Sequence, residues 1–231
     1  MLGERAIKFL NYLVRTPILF FIMNGADCNF LDTRMGGSYE KPVYFKDYPC
    51  QPIPAYLDDF YVFKISFHLY ELSHTLLLDR NRLDFPEYVL HHLMTWALIH
   101  FSYAMNIIPV GAAVMLVHDL SDIPMCILKL VVDITSKQFE MFVFIFLFIS
   151  WVFMRLYVFP FRIIYSFFEE CYQETMPHMN YSLLNMIVCF LMALVCLHIF
   201  WTYLMIKGVL RRSSKKSEVV FKTSANLVSH C

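Results

Sequence analysis

DFPEYVLHHLMTWALIHFSYAMNIIPVGAAVMLVHDLSD, residues 84–122, consists of two apolar runs folded about a short turn. The turn is Asn106-Ile-Ile-Pro109-Val-Gly111, whose Asn, Pro and Gly each favour a reversal. On either side the apolar residues continue for about 20 positions, the length that crosses a bilayer core. Asp84 reads as a helix N-cap, with Pro86 and Glu87 in the favoured first turn. The stretch therefore predicts two antiparallel membrane helices joined tightly at one end.

Three further runs have the same character, giving five predicted spans over 56–78, 85–108, 110–134, 139–164 and 181–209. A sixth run, 7–23, is short and carries Arg15 and Pro17, so it reads as a span or as an interfacial helix. Composition agrees. Of 231 residues, 58% are hydrophobic and 16% charged, against about 45–50% and about 25% in ordinary globular chains. With 23 Phe, 14 Tyr and only 6 Gly, the chain is neither disordered nor a Gly-rich nucleotide binder. The 19 basic and 19 acidic residues balance, which excludes a broad nucleic-acid surface.

Basic residues collect in alternate loops and at both termini: Arg5, Lys8, Arg80, Arg82, Lys137 and the 211–222 run. By the positive-inside rule both termini are expected in the cytoplasm. The 24–55 and 165–180 loops then fall on the other side. There Cys28 and Cys50 are a candidate pair, and Asn180-Tyr-Ser182 is a sequon. The chain is expected to divide into an N-terminal membrane or interfacial helix (1–30), a transmembrane domain (31–210) and a basic disordered tail (211–231).

Ionisable groups inside spans are costly and mark function by default. They concentrate in the opening stretch. At about 1.5 Å per residue, His92 lies about 24 Å from the turn and Asp122 about 21 Å on the neighbouring helix. His118, Asp119 and Asp122 share one helix face through i,i+3 and i,i+4 spacing. One pocket is thus expected to hold His91 or His92 with Asp122, and with His118 and Asp119 a turn away. Adjacent histidines point about 100° apart on a helix of 3.6 residues per turn, so only one of the pair aims squarely at a reacting centre. A histidine near neutral pKa serves as general base or nucleophile, with an aspartate to orient it. His68, His74 and His100 read as packing residues. Membrane di-iron enzymes need many histidines in repeated HxxxH and HxxHH boxes, and the nine here do not repeat that pattern, so no metal site is expected. A proton-coupled transporter would show internal repeats or Gly-broken helices, and neither is visible.

The same stretch resembles the Lag motif of ceramide synthases in the TLC (TRAM–Lag–CLN) domain family: DF, then HH, a Thr, FSY, Asn, a Gly after the turn, and HDxxD, in order and at matching spacing. YPCQPIP (48–54), RLYVFPFRIIYS (155–166) and FWTYLMIK (200–207) resemble further family elements. There are departures. Pro109 stands where the family usually has Arg, and Lys64 stands where a family Glu is expected.

The resemblance implies an all-α integral membrane protein of about six transmembrane helices surrounding a central cavity. It implies transfer of a fatty acyl group from acyl-CoA, a co-substrate with no bound cofactor needed, to the amine of a sphingoid base in the endoplasmic reticulum membrane. Carried over by position, His91 and His92 are the catalytic pair, with His118, Asp119 and Asp122 completing the site. One His of the pair would accept the acyl group; the aspartates would support it and help deprotonate the amine. The loop from Ser166 to Tyr181 is the candidate for acyl-chain choice. Expected partners are acyl-CoA, the sphingoid base and membrane lipid, with a possible homo- or heterodimer. The alternative is a non-catalytic TLC protein that binds or senses lipid or handles membrane proteins.

Overall fold

A computed structural model describes residues 2–24, 31–35, 37, 44, 45, 47, 48, 50, 52–78, 80, 81, 84–132, 134–170 and 181–228, the side chains of Leu2 and Glu4 and those beyond 211 excepted. The helices are α1 (Leu2–Asn24), α2 (Leu57–Leu78), α3 (Phe85–Ala104), α4 (Ile108–Val131), α5 (Lys137–Trp151), a π-helix (Val152–Ile164), α6 (Tyr165–Glu170) and α7 (Tyr181–Val228). A short 3-10 turn lies at Thr33–Met35. By contacts the chain forms two units, residues 1–195 and 196–231, the second being the C-terminal part of α7.

Helices within Arg5–Asn24, Lys137–Glu170 and Tyr181–Arg211 are long and apolar enough to cross a membrane. The other three, α2, α3 and α4, have 22, 20 and 24 residues, also spanning length, but they carry the ionisable groups. α1 is a full helix despite Pro17. Its Arg15, which weighed against a span, is buried with Thr16.

In the first unit α4 is the central element, packing on α1, α3, α5 and the π-helix, while α2 packs on α3 and α1. The reason lies in its surface: Ala112, Ala113, Leu116 and Val117 are small or branched and fully buried. The buried stripe of α2 runs Leu57, Phe60, Tyr61, Lys64, Glu71, Leu72 and Thr75. That spacing is helical, and it puts a lysine and a glutamate on the inward face.

The α3–α4 reversal, expected over 106–111, falls at 105–107. α3 stops at Ala104 because Asn106 takes a left-handed φ of 56°, a conformation Asn tolerates. The Ile107 N–H donates to the Ser102 carbonyl at 2.8 Å. Pro109 then sits in the first turn of α4, where its missing N–H costs nothing. Asp84 does occupy the N-cap of α3, though its side chain makes no capping hydrogen bond. At α5 the Ser136 hydroxyl does cap, accepting from the Phe139 N–H at 3.3 Å.

Gly111 lets three helices meet at that turn. The Tyr61 hydroxyl donates to the Ile108 carbonyl at 2.7 Å, and Ser102 donates to Tyr61 at 3.3 Å. A methyl group on Gly111 would overlap both hydroxyls. Overpacking of this kind costs about 1–3 kcal/mol. Gly111→Ala is expected to lower the thermal midpoint in detergent by several degrees, and adding Tyr61→Phe should restore part of the loss. An unshifted midpoint would show that the three helices are not in close register there.

At the same end the chain before α2 is tied down. Buried Asp32 accepts from Arg162 Nη2 at 2.7 Å and Nε at 3.0 Å. Glu170 accepts from the Tyr44 N–H at 2.7 Å, and the Tyr48 hydroxyl donates to the Met105 carbonyl at 2.9 Å. At the opposite end Arg5 donates to the Lys129 carbonyl at 3.0 Å. Cys28 and Asn180 lie outside the described residues, as do positions 171–180 of the expected acyl-choice loop.

Two helical stretches depart from expectation. The run 139–164 extends to 137–170 and widens into a 13-residue π-helix containing Pro160. Its longer repeat keeps Arg155, Phe159 and Ile163 on the buried side. α7 continues to Val228, through the tail expected to be disordered. The Arg, Lys and Glu residues there are good helix formers, and a 31-residue apolar segment (Tyr181–Arg211) nucleates the helix ahead of them.

Candidate active site

The histidine pair on α3 divides between two neighbours. His92 is buried, and its ring lies 4.4 Å from that of Tyr88 and 6.4 Å from that of His68 on α2. The rings of His91 and His92 lie 5.6 Å apart with planes at 69°. His91, half-buried, is within electrostatic range of His118 on α4 and Arg155 on the π-helix. The angular offset of consecutive helical residues points the two imidazoles in different directions, with His92 beside His68 of α2. The result is a row of four imidazoles, His68, His92, His91 and His118, on three helices.

His118 is oriented by its own backbone. Its Nδ1–H donates to the Val114 carbonyl at 2.7 Å, and the ring lies edge-on to Phe159 at 5.0 Å. Because a carbonyl can only accept, the neutral ring carries its proton on Nδ1, and Nε2 holds the lone pair.

The two aspartates are engaged by cations. Lys64 donates to Asp119 Oδ1 at 2.7 Å and Oδ2 at 2.6 Å, with both side chains buried. Arg15 Nε adds a second positive charge, 3.6 Å from Asp119 Oδ2. Asp122 pairs with Arg155. That guanidinium also donates to the Ser121 hydroxyl at 2.7 Å and the His118 carbonyl at 3.3 Å, and it stacks on Trp151 at 4.2 Å. Ion pairs in so dry a setting hold helices in one arrangement. Here they fasten α1, α2 and the π-helix onto α4 beside the imidazoles.

Sequence reasoning brought His91, His92, His118, Asp119 and Asp122 to two adjacent helices, and the structure places all five there. It did not foresee the cations. In the sequence Arg15 weighs against a span, Lys64 departs from a family pattern, and Arg155 opens a stretch that resembles a family element. Each is a basic residue within an apolar run, and that was the available signal. His68, read as packing, stands beside His92. His100 stacks on Trp96 at 5.7 Å and His74 lies 5.9 Å from Tyr70, both away from the row. Among the described residues no three His, Cys, Asp or Glu donors converge as a metal ligand set.

The sequence matches the TLC domain family over residues 2–207. The chain belongs to the TLC domain family. Its helices and that membership make it a multi-helix membrane protein. Among curated relatives it is similar to ceramide synthase 4 of Bos taurus, with 33% identity over 178 residues, covering 76% of this chain and 44% of that one. Ceramide synthase 5 of Homo sapiens is 33% identical over 167 residues, 71% of this chain and 41% of that one. Ceramide synthase LOH2 of Arabidopsis thaliana is 28% identical over 236 residues, covering 94% and 77%. The chain spans less than half the length of the two animal relatives. The family match includes all of α1 from Leu2, so Arg15 and its helix are integral to the domain.

Proposed function

We propose that the chain is a ceramide synthase-type N-acyltransferase, moving a fatty acyl group from acyl-CoA to the amine of a sphingoid base. The observation that carries this reading is the row of imidazoles on α2, α3 and α4, with His91 and His92 at its centre. Neutral imidazoles side by side can relay the one proton that amide formation must move.

The chemistry is as follows. One imidazole of the pair attacks the thioester carbonyl carbon, the C–S bond breaks, and CoA leaves as a thiol after taking a proton. The sphingoid amine then attacks the acyl-imidazole carbon, a neighbouring imidazole takes the amine proton, and the amide is released. His118 Nε2, with its lone pair fixed by the Val114 hydrogen bond, suits the second role. Arg155, held by Asp122, carries positive charge near His91 where oxyanion charge develops. The aspartates act here by fixing cations, one step removed from the imidazoles. Acyl-CoA is a co-substrate, and no bound cofactor takes part. We place the protein in the endoplasmic reticulum membrane with both termini cytoplasmic. The contact of Arg5 with Lys129, and that of Asp32 with Arg162, each join segments that hydropathy assigns to one side.

Lipid mass spectrometry of membranes lacking endogenous ceramide synthase but expressing this chain tests the proposal. New ceramide or dihydroceramide is expected, and its acyl lengths report the preference. Absence of both, with the protein folded in the membrane, would favour a lipid-binding role instead. Asp122→Asn releases Arg155 and is expected to cut turnover about 10²-fold, the scale of a small misplacement at a reacting centre. Wild-type turnover by that variant would remove Arg155 positioning from the mechanism.

A further inference from the structure

Arg15 is a buried guanidinium whose hydrogen-bonding capacity is unused. It is 4% exposed, and its Nη1 and Nη2 meet no hydrogen-bond acceptor. The planar guanidinium lies over the rings of Tyr12 at 4.1 Å and Phe67 at 4.2 Å. Nε points toward Asp119, 3.6 Å away. A group that completes the site must therefore approach in the guanidinium plane, at the Nη1–Nη2 edge. That edge is a fork matched to two oxygens of one oxyanion.

The local charge calls for an anion as well. Arg15 and Lys64 share the single carboxylate of Asp119. Arg155 is matched by Asp122, and Lys8 by Glu71 at 3.1 Å. Among the described residues one positive charge is left over, in a membrane interior where uncompensated charge is expensive. Its counter-ion is a monoanion. A ligand reaching that depth carries hydrocarbon, and a neighbouring flank of α1 (Leu10, Val14, Ile18 and Phe21) is exposed and apolar.

We infer that the Nη1–Nη2 edge of Arg15, with the excess charge of Lys64 behind it, is a binding site for the carboxylate of a long-chain fatty acid. Lipid carboxylate fits the single charge and the planar fork better than a phosphate monoester, which bears more charge at neutral pH. The site does not depend on acyl transfer and would exist in a non-catalytic lipid binder.

The test is equilibrium binding of radiolabelled palmitate to the full chain in phosphatidylcholine nanodiscs. Saturable binding is expected, displaced by unlabelled palmitate and at least about tenfold less well by methyl palmitate, which lacks the charge. Arg15→Met is expected to weaken binding about tenfold or more, and Lys64→Met to weaken it by removing the excess charge. Equal displacement by the ester would overturn the site, and so would unchanged affinity in a folded Arg15→Met. The competition uses wild-type protein, so the inference stays testable if a variant fails to fold. Tighter binding of hexadecyl phosphate would overturn the carboxylate assignment.

Discussion

Replacing both His91 and His92 by Ala is expected to abolish acyl transfer while leaving the protein in the membrane. An imidazole acting as base contributes about 10²–10⁴ in rate, and one acting as nucleophile is indispensable to its route. The structure also separates the two single variants. His92 is buried beside Tyr88 and His68, while His91 is half-buried and within electrostatic range of His118 and Arg155. His91→Ala should lose the most turnover, because that ring is the less buried and more accessible of the pair. His92→Ala should also disturb packing, because that ring is buried, and lower the thermal midpoint with the rate. Steady-state rates on membranes, beside unfolding of the same preparations, read both effects. Full activity of the double variant would end the assignment of the site.

Asp119→Asn carries the second large effect, this time on stability. Asp119 is the counter-ion of two buried cations, Lys64 at 2.6 Å and Arg15 at 3.6 Å. Removing one partner of a buried ion pair costs about 3–5 kcal/mol, because the remaining charge is stranded. Here two charges are stranded, so poor expression and aggregation on extraction are expected. The variant Asp119→Asn/Lys64→Met leaves only one cation, held between aromatic rings, and should recover much of the loss. Fluorescence-detected size exclusion of the two variants and the wild type gives the comparison. If the single variant were as monodisperse and as heat-stable as wild type, the Arg15–Asp119–Lys64 cluster would not be what holds α1 and α2 to α4.

The helices were legible because lipid leaves so few choices. A backbone in hydrocarbon must satisfy its own hydrogen bonds, so long apolar runs bounded by Asn106, Pro109 and Ser136 could only be helices. Rise per residue alone set His92 and Asp122 on neighbouring helices at a similar distance from the turn. Partner identity did not follow. Whether Asp119 meets an imidazole or an ammonium depends on the rotation of α2 and α1 about their axes, which distant packing sets. Lys64 reaches Asp119 across 55 positions of sequence, and Arg162 reaches Asp32 across 130. The π-helix was equally hidden, since residues 152–164 have the composition of an ordinary span. A lysine at the position of an expected family glutamate was a local hint, beside the basic Arg15 and Arg155 within apolar runs. Opposite Asp119 it reads as an ion pair.

The most direct test of the central claim follows labelled atoms. Purified protein in nanodiscs is given acyl-CoA with a ¹³C-labelled acyl chain together with sphinganine, and lipids are analysed by mass spectrometry over time. Labelled dihydroceramide should accumulate with one CoA thiol released per amide formed, and neither should appear with the His91→Ala/His92→Ala protein. Amide formation at the wild-type rate by that variant, or its absence from folded wild-type protein, would contradict acyl transfer at the imidazole row.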